Sequence, residues 1–501
     1  MVGRNLSSVI DPNAPRERNA IVMIGEQGAE RVLSYDALNE EINAVANGLL
    51  ARGVSKGARI GILADNRAEH FIAYMGVMRA GFVAVPINQK LKAAGVRHIL
   101  NDAEVDLVFA DEQNKGFLAP ETRIIDFDVG GEDGYGALLK PGPLSPFAPS
   151  QTDLAVIMYT SGSSGRPKGV PITHAGYLWA IEQFDFLRES LEGRSALISA
   201  PLFHMNAQFH IQSVLYVGGT AVLTSRFQAQ EYLRAIETFK VARATGVPTM
   251  FALAAQAQEA GLGADLSSVT SVAMGSAPVT RALVDRTAAL FPNAMISNGY
   301  GTTEVGPAIF GLHPEGRPAP VLSLGYPMAD VEVRLVGTGA PNEGVLHVRS
   351  KMVTRGYLNL PTETARKISD GWYDTGDVMR RDAEGFYFFV SRADDMFVCG
   401  GENIYPGEVE KLLETHPFID QAAVVPVEDD IKGALPMAFI VAAPGSSLTE
   451  EDVKHYTLEN GPAYAHPRFI VFMEALPLSG VNKIDKKQLT ENAKTFQRPR
   501  P

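Results

Sequence analysis

Cysteine is almost absent: Cys399 is the only one in 501 residues. That excludes an internal disulfide framework and a cysteine-built zinc cluster, and it fits a reducing compartment. A basic excess is also lacking. Lys and Arg number 45 against 57 Asp and Glu, for a net charge of −12, whereas a general phosphate-backbone binder carries the opposite sign. Any anionic ligand must therefore be held by local groups. No apolar run approaches the roughly 18 residues of a membrane-spanning helix. The N-terminal "MVGRNLSSVIDPNAPRERNA" has no apolar core behind its charges, and the C-terminal "QRPRP" matches no peroxisomal or retention signal. Cytoplasm is the expected location, with no nucleic acid partner and no membrane span.

What is present is an ordinary globular composition, 46% hydrophobic and 20% charged. The chain exceeds the roughly 250–300 residues at which single cores divide, so at least two domains are expected. "RIGIL" (59–63) reads as a strand, "EHFIAYMGVMRAG" (69–81) as a helix and "FVAVPIN" (82–88) as the next strand, a βαβ unit. Downstream, "LAVIMYT", "SALISAP", "RATGVP", "VTSVAMGSAP" and "AMISNGYGTTE" each carry an apolar strand into a polar or glycine-rich turn. Chemistry on open α/β sheets gathers at the carboxyl ends of strands, so these turns should converge on one site. Residues 331–350 alternate apolar and polar as a small antiparallel β subdomain, and after "GFYFFVSRADD" a compact α+β pattern begins. The expected fold is α/β: a large multi-layer N-terminal domain (1–393) with a small β subdomain, and a smaller, mobile C-terminal α+β domain (394–501). Residues 128–150 read as a Gly/Pro-rich surface connection.

One stretch stands apart. "YTSGSSGRPKGV" (159–170) supplies small residues whose backbone N–H groups can crowd an anion, hydroxyls on Thr160, Ser161, Ser163 and Ser164, and a point charge on Lys168. Polyphosphate fits it, yet no glycine-lysine pair followed by Ser or Thr is present, so it is not the Walker loop.

This stretch closely resembles the signature loop of the adenylate-forming superfamily of acyl-CoA synthetases, nonribosomal adenylation domains and luciferases. "NGYGTTE" (298–304), "WYDTGD" (372–377), "SRADDMFVCGGENIYPGEVE" (391–410) and "NKIDKK" (482–487) resemble its other signatures, in the family's order. The resemblance implies an AMP-forming acid:CoA ligase that uses ATP, Mg²⁺ and coenzyme A, with a homodimer compatible. A carboxylate and ATP give an acyl-adenylate and pyrophosphate, and the thiol then takes the acyl group. Loading of a carrier protein is an alternative acceptor, and nucleotide binding without acyl chemistry a third reading.

The resemblance also implies roles. Thr160, Ser161, Gly162, Ser163, Ser164, Gly165 and Lys168 would hold phosphate. Ser276, Ala277, Pro278, Asn298, Gly299, Tyr300, Gly301 and Thr302 would border the nucleotide, with the Tyr300 ring on adenine. Thr303 would donate to the α-phosphate, Glu304 would bind Mg²⁺, Asp377 would accept from the ribose hydroxyls, and Arg392 would reach ribose or phosphate. Lys483 matches the lysine that bridges the acyl carboxylate and the α-phosphate, although Asn482 stands where the family usually has glycine. Asp394 matches the hinge residue, and Gly400 and Gly401 would let a pantetheine arm pass.

Substrate choice is less specified. "PLFHMNAQFH" (201–210) places His204 where the amino-acid-activating branch has a carboxylate for the substrate ammonium; burying an ammonium without a counter-ion is costly, so an α-amino acid is disfavoured. His204 would line the acyl pocket or gate the thiol, with Thr249, Met274, Gly275 and Gly299 completing an apolar, flat pocket. An aryl or cinnamic-type acid or a medium acyl chain fits it.

Overall fold

The computed structural model describes residues 3–25, 30–161, 166–277, 279–337, 342–399, 402–429, 432–463, 465–479 and 483–494. Gly162, Ser163, Ser164, Gly165, Pro278, Gly400, Gly401 and Asn482, all named above, lie outside them.

Two sheets carry the N-terminal part. A six-stranded sheet orders Ile124–Asp126, Val105–Ala110, Arg59–Leu63, Val83–Pro86, Leu154–Ser161 and Pro167–Thr173. It is parallel except for the last pair. A seven-stranded sheet orders Met295–Gly299, Ser271–Gly275, Val241–Gly246, Ser195–Ile198, Thr220–Thr224, Asn19–Ile24 and Glu30–Ser34, again parallel until its final antiparallel pair. The βαβ unit forms as expected, with its helix at Ala68–Arg79. That helix is buried nearly all round, and Phe71, Tyr74, Met75 and Met78 sit in the main core.

Alternation along the strands decides which side chains face which layer. In Ser271–Gly275, Val272 and Met274 enter a core with Phe251 and Phe291. By the period of two, Ser271, Ala273 and Gly275 share the other face. The in-register partner of Ser271 on the next strand is Arg243, so Arg243 lies on that second face as well.

The expected antiparallel subdomain is present: Glu332–Gly337, Glu343–Arg349, Trp372–Arg381 and Ile368–Ser369 form a sheet that Tyr387–Arg392 joins by pairing with Trp372–Arg381. The reading of 128–150 needs qualification. Tyr135–Leu138 is a short helix whose Tyr135 packs on Phe109 and Phe127, so hydrophobic contacts tie this connection to the sheet.

Farther on, Gly433–Ala442 pairs with Ile419–Asp429 on one side and, in parallel, with Phe469–Phe472 on the other. Helix Glu450–Asn460 starts with a capping box between Thr449 and Asp452, which satisfies backbone donors at its first turn. A closing helix, Lys486–Lys494, begins three residues after Lys483, where only a basic run was legible.

Helix Pro406–Leu413 is stitched to the neighbouring strand by carboxylates. Glu410 Oε1 accepts from Val424 N at 2.7 Å, and Glu414 Oε1 accepts from Ala422 N at 3.0 Å. Glu414 Oε2 is buried without a partner. Burial first, then repulsion from Glu410 and Asp420, pushes the Glu414 carboxyl up to about 8. The folded chain therefore keeps a proton that the unfolded chain releases near pH ~4.3. This contribution to stability is full below that value and is lost as pH rises through about 8. Glu414→Gln should flatten the decline in Tm across this window and melt higher than wild type at pH 8.5. Parallel Tm profiles for the two proteins would refute the assignment.

Candidate active site

The carboxyl ends of the strands open into one cleft of about 3120 Å³ that extends between the N- and C-terminal parts. Thr160, His204, Thr249, Gly275, Ser276, Glu304, Asp377, Arg392 and Lys483 all line it, from turns as far apart in sequence as positions 160 and 483.

The hydroxyl-rich stretch is a hairpin. Leu154–Ser161 runs out to the loop and Pro167–Thr173 returns antiparallel, with Thr160 opposite Lys168. Lys168 is already engaged: its Nζ is 2.5 Å from Glu363 Oε1 and lies 5.3 Å from the centre of the Tyr357 ring. Bonds from Arg366 and then Lys168 hold the Glu363 carboxyl down to about 2. The lysine thus borders the cleft as half of an ion pair, and its partner is 195 positions away in sequence.

Glu304 is buried at 9% exposure, and its Oε1 accepts from the Tyr357 hydroxyl at 2.8 Å. The Tyr357 and Tyr373 hydroxyls lie 2.9 Å apart. Burial, together with the Glu304 charge, raises both phenols, so they remain donors that fix the carboxylate. Thr302 and Thr303 are half-buried at the rim of the cleft. Among the described residues no three His, Cys, Asp or Glu side chains converge on a cation position. A Mg²⁺ ion at Glu304 would therefore take its other ligands from phosphate and water oxygens, which suits that ion.

The best-connected cluster lies at the junction of the two parts. Asp377, 4% exposed, accepts from the Tyr300 hydroxyl at 2.5 Å and from Arg392 Nη1 at 2.9 Å. The backbone sets this up, since Asp377 and Arg392 face each other across paired strands. Arg392 also donates through Nε to Asp394 Oδ1 at 2.9 Å. Burial raises the Asp377 carboxyl, with Arg392 opposing it. Burial works the same way on Asp394, but there the Arg392 bonds prevail and the carboxyl is lowered.

Lys483 reaches the same place. It stays open to cleft water, yet the walls displace enough solvent to lower its ammonium pKa, with Asp377 opposing the change and Arg392 adding to it. Across the cleft, His204 holds a buried Nε2 without a partner. Burial, then the charges of Lys483 and Lys90, push it down to about 3, so the imidazole is neutral at working pH.

Other expected positions divide into two groups. Ser276 adopts a left-handed φ of +67°, an uncommon conformation for a side-chain-bearing residue, and accepts from Asn206 Nδ2 at 3.0 Å. Ala277, Gly299, Gly301 and Thr249 line the cleft. Asn298 lines it too, with its amide donating to Leu322 O at 3.2 Å. Met274 borders the cleft but is 1% exposed, with its side chain in the core. Tyr357, Tyr373, Glu363, Asn206 and Arg243 were not anticipated. Only the "RGYLNLPTET" run around Tyr357 and Glu363 hinted at a turn.

Two family models match the chain: AMP-binding enzyme over residues 10–358, and the AMP-binding enzyme C-terminal domain over residues 408–483. The chain belongs to the AMP-binding enzyme family. Its class is that of the acid-thiol ligases, within the adenylate-forming enzymes. Feruloyl-CoA synthase from Amycolatopsis sp is 32% identical over 465 residues, covering 91% of this chain and 93% of that protein. The fatty acid–[acyl-carrier-protein] ligase ScoC from Streptomyces coeruleorubidus is 30% identical, covering 92% of each. Among solved structures, the anthranilate CoA ligase AuaEII in complex with anthranoyl-AMP matches with a TM-score of 0.87 at 26% identity, covering 99% of this chain and 98% of that one. No described helix is long and apolar enough to cross a membrane.

Proposed function

We propose that this enzyme joins a carboxylic acid to coenzyme A in two steps at one cleft, through an acyl-adenylate, and that the acid is of the aryl or cinnamic type or a medium-chain acyl acid. The observation that carries the reading is the meeting of Lys483, Asp377, Arg392 and Tyr300 at the junction, in the same cleft that Glu304 and Thr160 line.

Two anions must approach in the first step, so alignment and charge neutralisation carry most of the catalysis. Lys483, a compact ammonium, would sit between the acyl carboxylate and the α-phosphate and follow the charge as it shifts. Thr160, Thr303 and the hydroxyl loop would donate to phosphate, and Glu304 would hold Mg²⁺. Tyr300 would lie against adenine while Asp377 receives the ribose hydroxyls. Neutral His204 would donate a hydrogen bond to the reacting carboxylate or accept one from the incoming thiol. Residues 1–393 and 394–501 would act as separate bodies about Asp394, because Lys483 must leave before a thiol can enter where pyrophosphate stood.

Carboxylate-dependent ATP–pyrophosphate exchange over a panel of aryl, cinnamic and aliphatic acids, followed by CoA-dependent AMP release, tests the reading. ATP binding with no exchange for any acid would overturn it. The likeness to ScoC supports a carrier protein as an alternative thiol. Exchange without turnover on free CoA, together with acylation of a carrier phosphopantetheine, would select that acceptor.

Two glycines separate structure from substrate fit. A Cβ on Gly275 would sit 2.5 Å from Gly299 O, whereas one on Gly299 would meet only Met274 O at 3.7 Å. Gly275→Ala should destabilise the fold by about 1–3 kcal/mol, the usual range for overpacking. Gly299→Ala should keep the wild-type Tm while shifting KM for the acid roughly 10-fold, as one methyl does in a fitted pocket. Equal melting of the two variants would contradict this geometry.

A further inference from the structure

The sheet face that forms the cleft wall carries a charge that the two-step reaction does not use. Arg243 is 7% exposed and lies in register with Ser271, on the same face as Ala273 and Gly275. It is three residues before Gly246, the end of its strand, or roughly 10 Å below the mouth at the rise of an extended chain.

Its bonding is incomplete. Nη1 donates to Ser271 Oγ at 2.5 Å, while the buried Nε has no partner. Among the described residues no carboxylate pairs with it. Burial alone lowers the guanidinium to about 10, with no neighbouring acid raising it. The cleft extends to this place: Ser271 and His210 lie beside the guanidinium, and Phe184 and Ser190 line the same cleft. His210 cannot serve as the counter-charge: burial, then the Arg243 charge, lowers it to about 3, so it is neutral.

A guanidinium removed from water without an anion is costly, and replacing such a group by an apolar one of similar size is often neutral or stabilising. Packing therefore gives no reason for an arginine here. The sequence reading expected an apolar pocket because it sampled only the turns after the strands, and Arg243 sits deeper, inside one.

We propose that Arg243 is a specificity residue for a second anionic group at the far end of the acyl substrate, so that the preferred acids are dicarboxylates: the carboxylate at the mouth reacts and the other is held by Arg243 and Ser271. A carboxylate reaching the terminal nitrogens from the cleft would supply the missing counter-charge through a charge-assisted hydrogen bond, of the kind guanidinium favours. This inference rests on the ligase reading and narrows its substrate class.

The test pairs acids of equal length that differ at the far end: straight-chain monoacids with their α,ω-diacids, and cinnamic acid with its ring-carboxylated analogue. In pyrophosphate exchange, the diacid member should have kcat/KM higher by on the order of 10- to 100-fold, the range for a hydrogen bond to a charged group. Arg243→Met, close in length and without charge, should erase that preference mainly through KM, with Tm unchanged or raised. Arg243→Lys should retain part of it. Monoacids used as well as diacids, with the ratio unmoved by Arg243→Met, would overturn the proposal.

Thermal stabilisation by the same acids separates this failure from that of the ligase reading. If no acid supports exchange but diacids raise the Tm of wild type and not of Arg243→Met, the reaction fails and the anion site stands. If diacids raise neither, the site fails as well.

Discussion

Replacing Lys483 by alanine should lower acyl-adenylate formation by roughly 10²–10³-fold, the loss that follows removal of one preorganised donor to a developing oxyanion. It should leave CoA-dependent consumption of supplied acyl-AMP close to wild type. The asymmetry follows from position. In this structure Lys483 faces Asp377, Arg392 and His204, which is where the proposed reading needs it for the first half-reaction. On the proposed two-position reading, the thiol arrives where pyrophosphate stood only after this lysine has left. Pyrophosphate exchange measures the first step, and single-turnover release of AMP from synthetic acyl-AMP measures the second. An equal fall in both would end the account in which the C-terminal part alternates between two positions. The wild-type pH profile offers a second check. Because burial lowers the Lys483 ammonium, kcat/KM for exchange should fall on the alkaline side below the ordinary lysine range near ~10.4. A profile flat to that value would place the titrating group elsewhere.

What the sequence disclosed and what it concealed differ by the range of the interactions involved. The strands before each turn were legible because β-branched runs end at glycine or proline, and the turns converge because parallel strands share a direction. Asp377 and Arg392 were legible as individual motif residues. Their hydrogen bond also needs the pairing of Trp372–Arg381 with Tyr387–Arg392, a local arrangement. Lys168 was read as a free cation because nothing near it is acidic, and Glu363 reaches it only through the tertiary fold. Glu304 likewise draws its phenolic donors from positions 357 and 373. Met274 was placed in the pocket by its position near a turn, but the two-residue period of its strand turns it into the core. The same period turns Arg243 toward the cleft, a consequence visible only once the register with Ser271 is known.

Asp377→Asn should weaken ATP binding on the order of 100-fold, whereas Tyr300→Phe should weaken it less than about 10-fold, and the comparison decides what the carboxylate is for. Asp377 has two roles in this structure: it receives the Tyr300 hydroxyl, and it faces the Arg392 guanidinium. If its purpose were to orient the Tyr300 ring, removing the hydroxyl would harm ATP binding as much as changing the carboxylate. If it receives ribose hydroxyls, the ring and carboxylate left by Tyr300→Phe should still serve. Stability provides the control. Arg392 is 38% exposed, so losing its charged partner should cost nearer 1 kcal/mol than the 3–5 typical of a fully buried pair. Nucleotide affinity by calorimetry, read alongside Tm, separates the two. Equal losses of affinity in both variants would assign Asp377 to positioning Tyr300, and a Tm loss large enough to explain the affinity would assign it to holding the junction.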